Sequence, residues 1–285
     1  MDRLIYRVSA FPKGNKGGNE AGVVLETEGL DEKEMQKIAT HVGYSETAFL
    51  FPSDKADYKV RYFSPKTEVP LCGHATIALF NLMRNIDALD KDTYTIETKA
   101  GILNIKIKED SVLMEMGEIV IEDGPSFEDV QEILGLEATC ILSKDIKQVG
   151  TGIMEIFVEV DSLKTLHTLN LDPVKVQSLC ERIGCKGIYV FTEETEDASH
   201  ATQGRNFLPV IGINEESATG TASGALAVYL REIKGIQAQH FVFEQGNVLG
   251  KPSLIEVDLH LENDRISTLY VGGGMRFIDK IVKYA

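Results

Sequence analysis

Apolar positions along this chain recur with two periods, and one succession of periods runs through it twice. Residues 3–11 alternate apolar and polar, as a half-buried strand does. A glycine-rich segment, residues 14–22, follows and leads into the apolar run Val23, Val24, Leu25. A phosphate loop would need Gly-Lys-Ser/Thr opening a helix; here a strand comes next, so the segment reads as a hairpin connection, with Asn19 a candidate ligand contact. After Leu30 the period becomes helical: Asp31 as cap, Glu34 as its box partner, Met35, Ile38 and Val42 as the inward stripe, Gly43 as the stop. At an offset of 141, Leu171, Asp172, Gln177, Ile183 and Gly184 take the places of Leu30, Asp31, Gln36, Val42 and Gly43. Pro173 then falls at the first helical position, where a missing N–H costs nothing. Both helices run into strands, residues 47–51 and 188–191.

The correspondence continues with the matches in one order. Arg61, Phe63 and Pro65 fall on Arg205, Phe207 and Pro209 at an offset of 144, and residues 68–79 on 215–226 at 147. In that last pair Glu68, Gly73, Ala75, Ala78 and Leu79 meet Glu215, Gly220, Ala222, Ala225 and Leu226, and residues 94–97 meet 241–244 at the same offset. An offset growing only in steps of three is what loop insertions in a duplicated domain produce. Each glycine opens a segment that is apolar nearly all round, so each predicts a helix buried on most sides. Its first turn has unpaired N–H groups and a positive dipole end, which suits an anion. Residues 102–108, 111–116, 153–160 and 254–261 read as further strands, and 192–203 as an exposed polar loop. The expected fold is α+β: two pseudo-symmetric halves with a cleft between them, each a curled mixed or antiparallel sheet wrapped around a buried central helix. The halves are residues 1–120, joined by a C-terminal strand at about 274–285, and residues 121–273, the boundary lying near 118–126 with Ser126 capping another helix.

Composition narrows the function classes. In 285 residues, 44 acidic side chains against 29 basic give a net charge of −15, which argues against nucleic acid or an anionic membrane as partner. No apolar run approaches the roughly 18 residues of a membrane span, and the N-terminal residues lack a signal-peptide core, so a cytoplasmic location is expected. Cys72, Cys140, Cys180 and Cys185 show no metal-type spacing and are expected to be reduced thiols.

Catalysis is sought where the repeats differ. Tyr44, Ser45 and Glu46 stand opposite Cys185, Lys186 and Gly187, so Glu46 is a carboxyl that the second repeat lacks. At the edge of an apolar strand it would be partly desolvated and raised in pKa, suited to exchanging a proton near neutrality; the alternative is a solvated strand-end glutamate. At the buried-helix starts Cys72, Gly73 and His74 face Thr219, Gly220 and Thr221. His74 could orient a ligand or move a proton, or be a packed side chain. Cys72 at a helix N-terminus could be a base or nucleophile, but its mate is Thr219, and buried filler is the alternative. Glu215 matches Glu68 and reads as structural, whereas Glu216 faces Val69 and is a second candidate proton carrier or orienting carboxylate.

The segments GNEAGVVL at 18–25, SETAF at 45–49, RYFSPKTEVPLCGHA at 61–75, ESATGTA at 216–222 and QGNVLGKPS at 245–253 resemble the PhzF-like family of phenazine biosynthesis. That family is similar in fold to diaminopimelate epimerase and proline racemase. The resemblance implies that Glu46 is the general acid/base: in the phenazine enzyme the corresponding glutamate shuttles a proton during isomerisation of a dihydro-hydroxyanthranilate, with no metal or organic cofactor. It implies further that His74 supports the site and that Ser45, Gly73, Gly220 and Thr221 hold substrate, Thr221 standing where serine is common. Glu216 stands where aspartate is more usual. Relative to the racemases, Cys72 occupies the first thiol position and Thr219 replaces the second. The expected activity is a cofactor-independent isomerase acting on a small carboxylate, as a homodimer. The competing readings are an epimerase using Cys72 and a non-catalytic metabolite-binding protein.

Overall fold

Two helices form as their caps dictate. In a computed structural model that describes residues 2–284, the helix after Asp31 spans Glu32–Val42 with a reciprocal capping box between Asp31 and Glu34, and ends at Gly43 in the left-handed region, φ 74°. The helix after Asp172 spans Pro173–Ile183 and ends at Gly184, φ 83°.

The chain divides into two compact units, Met1–Glu115 with Gly272–Ala285, and Met116–Val271. The first unit contains β1 (Asp2–Ala10), β2 (Asn19–Val24), α1 (Glu32–Val42), β3 (Glu46–Phe51), β4 (Tyr58–Phe63), β5 (Glu68–Val69), α2 (Gly73–Asn85), β6 (Thr93–Thr98), β7 (Gly101–Ile107) and β8 (Val112–Glu115). The second contains β9 (Val120–Asp123), α3 (Phe127–Leu134), β10 (Lys147–Gly150), β11 (Met154–Glu159), α4 (Leu163–Thr168), α5 (Pro173–Ile183), β12 (Gly187–Thr192), β13 (Thr202–Leu208), β14 (Ile213–Glu216), α6 (Gly220–Val228), β15 (His240–Gln245), β16 (Ser253–Glu262) and all of β17 (Arg265–Gly273) but its last two residues, which belong to the first unit. β18 (Met275–Tyr284) pairs antiparallel with β1.

Within the first unit the strands run β18–β1–β2–β3–β4–β6–β7–β8, antiparallel except for β2–β3 and β4–β6. Helix α2 packs on β1, β2, β3, β8 and β18. Because β18 and β8 are the two ends of that order, the sheet curls round the helix, which explains why Ala75 through Met83 are all buried. The second unit repeats the same succession, β9–β10–β11–β12–β13–β15–β16, parallel at β11–β12 and β13–β15. Its helix α6 lies against β10 and β16. Strands β16 and β17 are joined by Asn263 and Asp264, both at positive φ, the geometry of a type I′ hairpin turn. The two outer helices cover separate apolar clusters, one around Met35, Ile38 and Phe49, the other around Val176, Leu179 and Ile188.

Four details depart from the sequence reading. Strand β2 starts at Asn19, not after Gly22, because Gly18 at φ 82° completes the turn and Asn19 already pairs with Ala10. Residues 120–123 of the expected boundary segment form β9, in register with β10. Helix α6 continues as a π-helical turn, Tyr229–Ile233. The loop expected over 192–203 is exposed at 193, 194 and 196–199, but its ends belong to buried strands, Thr192 to β12 and Thr202 and Gln203 to β13, and the buried carboxylate of Glu244 pins it by accepting from the backbone N–H of Glu196 and Asp197 and bonding the His200 ring at 2.7 Å.

Candidate active site

The first residue of β3 and the first turn of α2 bring four side chains together in the first unit. Gly43 ends α1 and turns the chain so that Ser45 precedes β3, whose first residue is Glu46. Arg61 on β4 forks onto Glu68 through Nε and Nη2 at 2.8 and 2.7 Å, fixing the segment that leads into α2. Cys72 is the N-cap, extended and without a side-chain cap bond, so its thiol is available to the neighbourhood. The Cys72 S–H donates toward Glu46 Oε2 at 3.6 Å and lies 3.4 Å from His74 Nδ1. His74 Nε2 stands 3.4 Å from Glu46 Oε2 and 3.2 Å from Ser45 Oγ. The backbone of Glu20 also acts on the ring, favouring its protonated form.

Burial sets the charge state of the histidine. Its side chain is 13% exposed, and desolvation holds its pKa below the ordinary value, with the nearby Glu46 charge and the Glu20 backbone acting the other way. A neutral ring beside a carboxyl can donate at one nitrogen and accept at the other. Glu46 is 21% exposed, so it is partly desolvated yet reachable. Below the site Tyr62 Oη shares a 2.6 Å hydrogen bond with Thr76 Oγ1, which itself donates to the Cys72 carbonyl at 2.7 Å, bracing the helix start from inside. Among the described residues, Glu46, Cys72 and His74 are the one group of three whose donor atoms, all within 4.8 Å of one another, could hold a metal ion.

Gly73 opens α2 without any demand from the protein itself. A Cβ there would meet only Met114 Cε, at an ordinary 3.6 Å. Asn19 lies at the start of β2, next to Glu20, and is buried.

The second unit builds its own helix start from different groups. Thr219 is the N-cap of α6 and Gly220 its first residue. The side chain of Gln245 holds this turn: its carbonyl oxygen accepts from the Thr219 N–H at 3.1 Å, and its amide donates to the Glu216 carbonyl at 2.8 Å and to Thr219 Oγ1 at 3.1 Å. Thr151 Oγ1 donates to the Thr221 carbonyl at 3.0 Å. Arg205 forks onto Glu215 at 2.8 and 2.7 Å, as Arg61 does onto Glu68. Glu216, Thr219, Gly220 and Thr221 therefore form one group, and Ser45, Glu46, Cys72, Gly73 and His74 another. The sequence reading did not single out Gln245 or Thr151; the only signal was that Gln245 lies in a quoted motif.

Comparison with known proteins extends over the whole chain. A family profile described as phenazine biosynthesis-like protein matches residues 8–276. An uncharacterized isomerase of Clostridium acetobutylicum is 35% identical over 283 residues, which cover 94% of each chain. The crystal structure of a PhzF-family phenazine biosynthesis protein from Bacillus anthracis superposes with a TM-score of 0.90 at 28% identity, covering 100% of both chains. A hydroxyproline epimerase from Agrobacterium vitis, at 13% identity, a TM-score of 0.61 and coverage of 99% and 91%, has a similar fold.

Proposed function

The chain belongs to the phenazine biosynthesis-like (PhzC-PhzF) family, and from that premise we propose that this isomerase moves a proton between carbons of a small carboxylate with Glu46 as general acid/base. The observation that carries the proposal is the Glu46 carboxyl, partly desolvated, 3.4 Å from the His74 ring at the start of α2. In the proposed reaction Glu46 takes a proton from a carbon made acidic by an adjacent carboxylate or double bond. The C–H pair shifts into the conjugated system, and the Glu46 O–H returns the proton at another carbon of the same molecule. The first-turn N–H groups of α2 would hold the substrate carboxylate in the space that Gly73 leaves open, with Ser45 and Asn19 as further contacts. His74, kept neutral, would hold Glu46 in place and cannot compete for the substrate anion as a cation would. The group at the start of α6, Glu216 with Thr219, Gly220 and Thr221, is proposed as a second set of substrate-holding residues, and Glu216→Gln tests its part.

A panel of small unsaturated carboxylic acids incubated with the protein in deuterium oxide tests the reading. Deuterium appearing at carbon with the wild type and not with a folded Glu46→Gln variant is the expected result. Incorporation that persists unchanged in Glu46→Gln would remove Glu46 from its role.

A second reading is favoured by one contact. The Cys72 thiol, 3.4 Å from His74 Nδ1, has a base next to it and could itself abstract a proton, as an epimerase would require. Cys72→Ala abolishes activity in that case and spares it in the first.

A further inference from the structure

Glu46, Cys72 and His74 also form a triangle of the size a metal ion requires. A tetrahedral zinc centre, with metal–sulfur bonds of about 2.3 Å and metal–nitrogen or metal–oxygen bonds of about 2.0–2.1 Å, separates neighbouring donors by about 3.3–3.6 Å. Here Glu46 Oε2 and His74 Nε2 are 3.4 Å apart. Glu46 Oε2 and Cys72 Sγ are 3.6 Å apart. The third edge, Cys72 Sγ to His74 Nε2, is 3.9 Å and needs to shorten by only about 0.3 Å. We propose that these three side chains are an inhibitory Zn²⁺ site, with Glu46 Oε2, Cys72 Sγ and His74 Nε2 as ligands and the fourth position left to water.

The donor set selects the metal. One thiolate, one imidazole and one carboxylate suit Zn²⁺, whereas Mg²⁺ and Ca²⁺ prefer oxygen alone. Binding converts the Cys72 S–H to a zinc thiolate and releases its proton to solvent. Three of the four positions come from rigid places, the first residue of a strand and the first turn of a buried helix, so little ordering opposes binding. Inhibition follows because the metal occupies the Glu46 oxygen that would carry the substrate proton; this consequence alone rests on the isomerase reading.

The test is calorimetric titration of the full chain with Zn²⁺ in a non-coordinating, thiol-free reducing buffer, beside absorption spectroscopy with Co²⁺. One equivalent of Zn²⁺, a proton released on binding, and a thiolate-to-Co²⁺ charge-transfer band are expected. Cys72→Ser and Glu46→Gln, each checked by urea melting for an intact fold, should weaken the site by at least about tenfold, the loss that even an outer contact causes. Cys180→Ser, in the second unit, should leave it unchanged. Binding that survives Cys72→Ser at full strength, the absence of a charge-transfer band, or several weak equivalents would overturn the site. Deuterium incorporation by the zinc-free protein is read separately, so loss of the zinc site leaves the proton-transfer assay standing. Failure of that assay likewise leaves the titration intact.

Discussion

Glu46 and Cys72 lie 3.6 Å apart, yet the proton-shuttle reading assigns them unequal weight. Removing a positioned general base costs about 10²–10⁴-fold in rate, so Glu46→Gln should lose that much deuterium incorporation while melting like the wild type. Cys72→Ala removes one buried sulfur, should cost about 1 kcal/mol of stability, and should keep activity within about tenfold. Rates for the two variants on one substrate decide the matter, and the reverse ranking would favour the thiol epimerase. The sequence made Glu46 legible because Gly187 stands in its place in the second repeat. It could not show that the thiol, the ring and the carboxyl touch, since 26 residues and a whole strand pairing separate Glu46 from Cys72. The influence of the Glu20 backbone on the ring was illegible for another reason: a main-chain group leaves no mark in residue type.

Each buried helix is reached through an arginine fork, and the two forks differ in what they hold. Arg205 is 8% exposed, pairs with Glu215 and also donates to the carbonyls of Leu166 and Leu169 at the end of α4, at 3.0 and 2.8 Å. Arg205→Ala strands a mostly buried carboxylate and two carbonyl acceptors, so about 3–5 kcal/mol of stability should be lost in urea unfolding. Arg61 is 22% exposed, and its partner Glu68 is also bonded by Lys99, so Arg61→Ala should cost distinctly less. Equal costs would show that the forks stabilise by charge alone and not by what each buries. Sequence pattern located these elements well wherever a cap or a period defines them, as at Asp31, Gly43, Asp172 and Gly184. It said nothing of sheet order, because alternation fixes which face of a strand is buried and not which strand lies beside it. The parallel β4–β6 pairing, which passes over β5 and α2, is one such case.

At the scale of the whole molecule, the equivalence of the two units exposes a carboxyl that comparison by offset passed over. Ala21 stands opposite Glu46 on the parallel strand pair of the first unit, and Glu155 stands opposite Gly187 on the matching pair of the second. The second unit thus carries its acid on the neighbouring strand, where the sequence comparison did not look. Glu155 is fully buried, and neither of its oxygens has a hydrogen-bond partner of ordinary geometry. Desolvation pushes its pKa up to about 8, which the adjacent Asn206 amide only partly offsets. The sign of the resulting pH dependence is fixed. Below the ordinary value of 4.5 the folded and unfolded chains both keep this proton. As the pH rises toward 8 the unfolded chain releases it and the folded chain does not, so Glu155 takes stability from the fold over that window. Glu155→Gln keeps the shape and removes the titration. The melting temperature of the variant should therefore gain on that of the wild type steadily from about pH 5 to about pH 8. Every other ionisable group contributes alike to both proteins, so the difference between the two melting curves reports Glu155 alone; curves that stay parallel across the window would mean that the carboxyl is ionised inside the fold and held there by a contact that meets its charge.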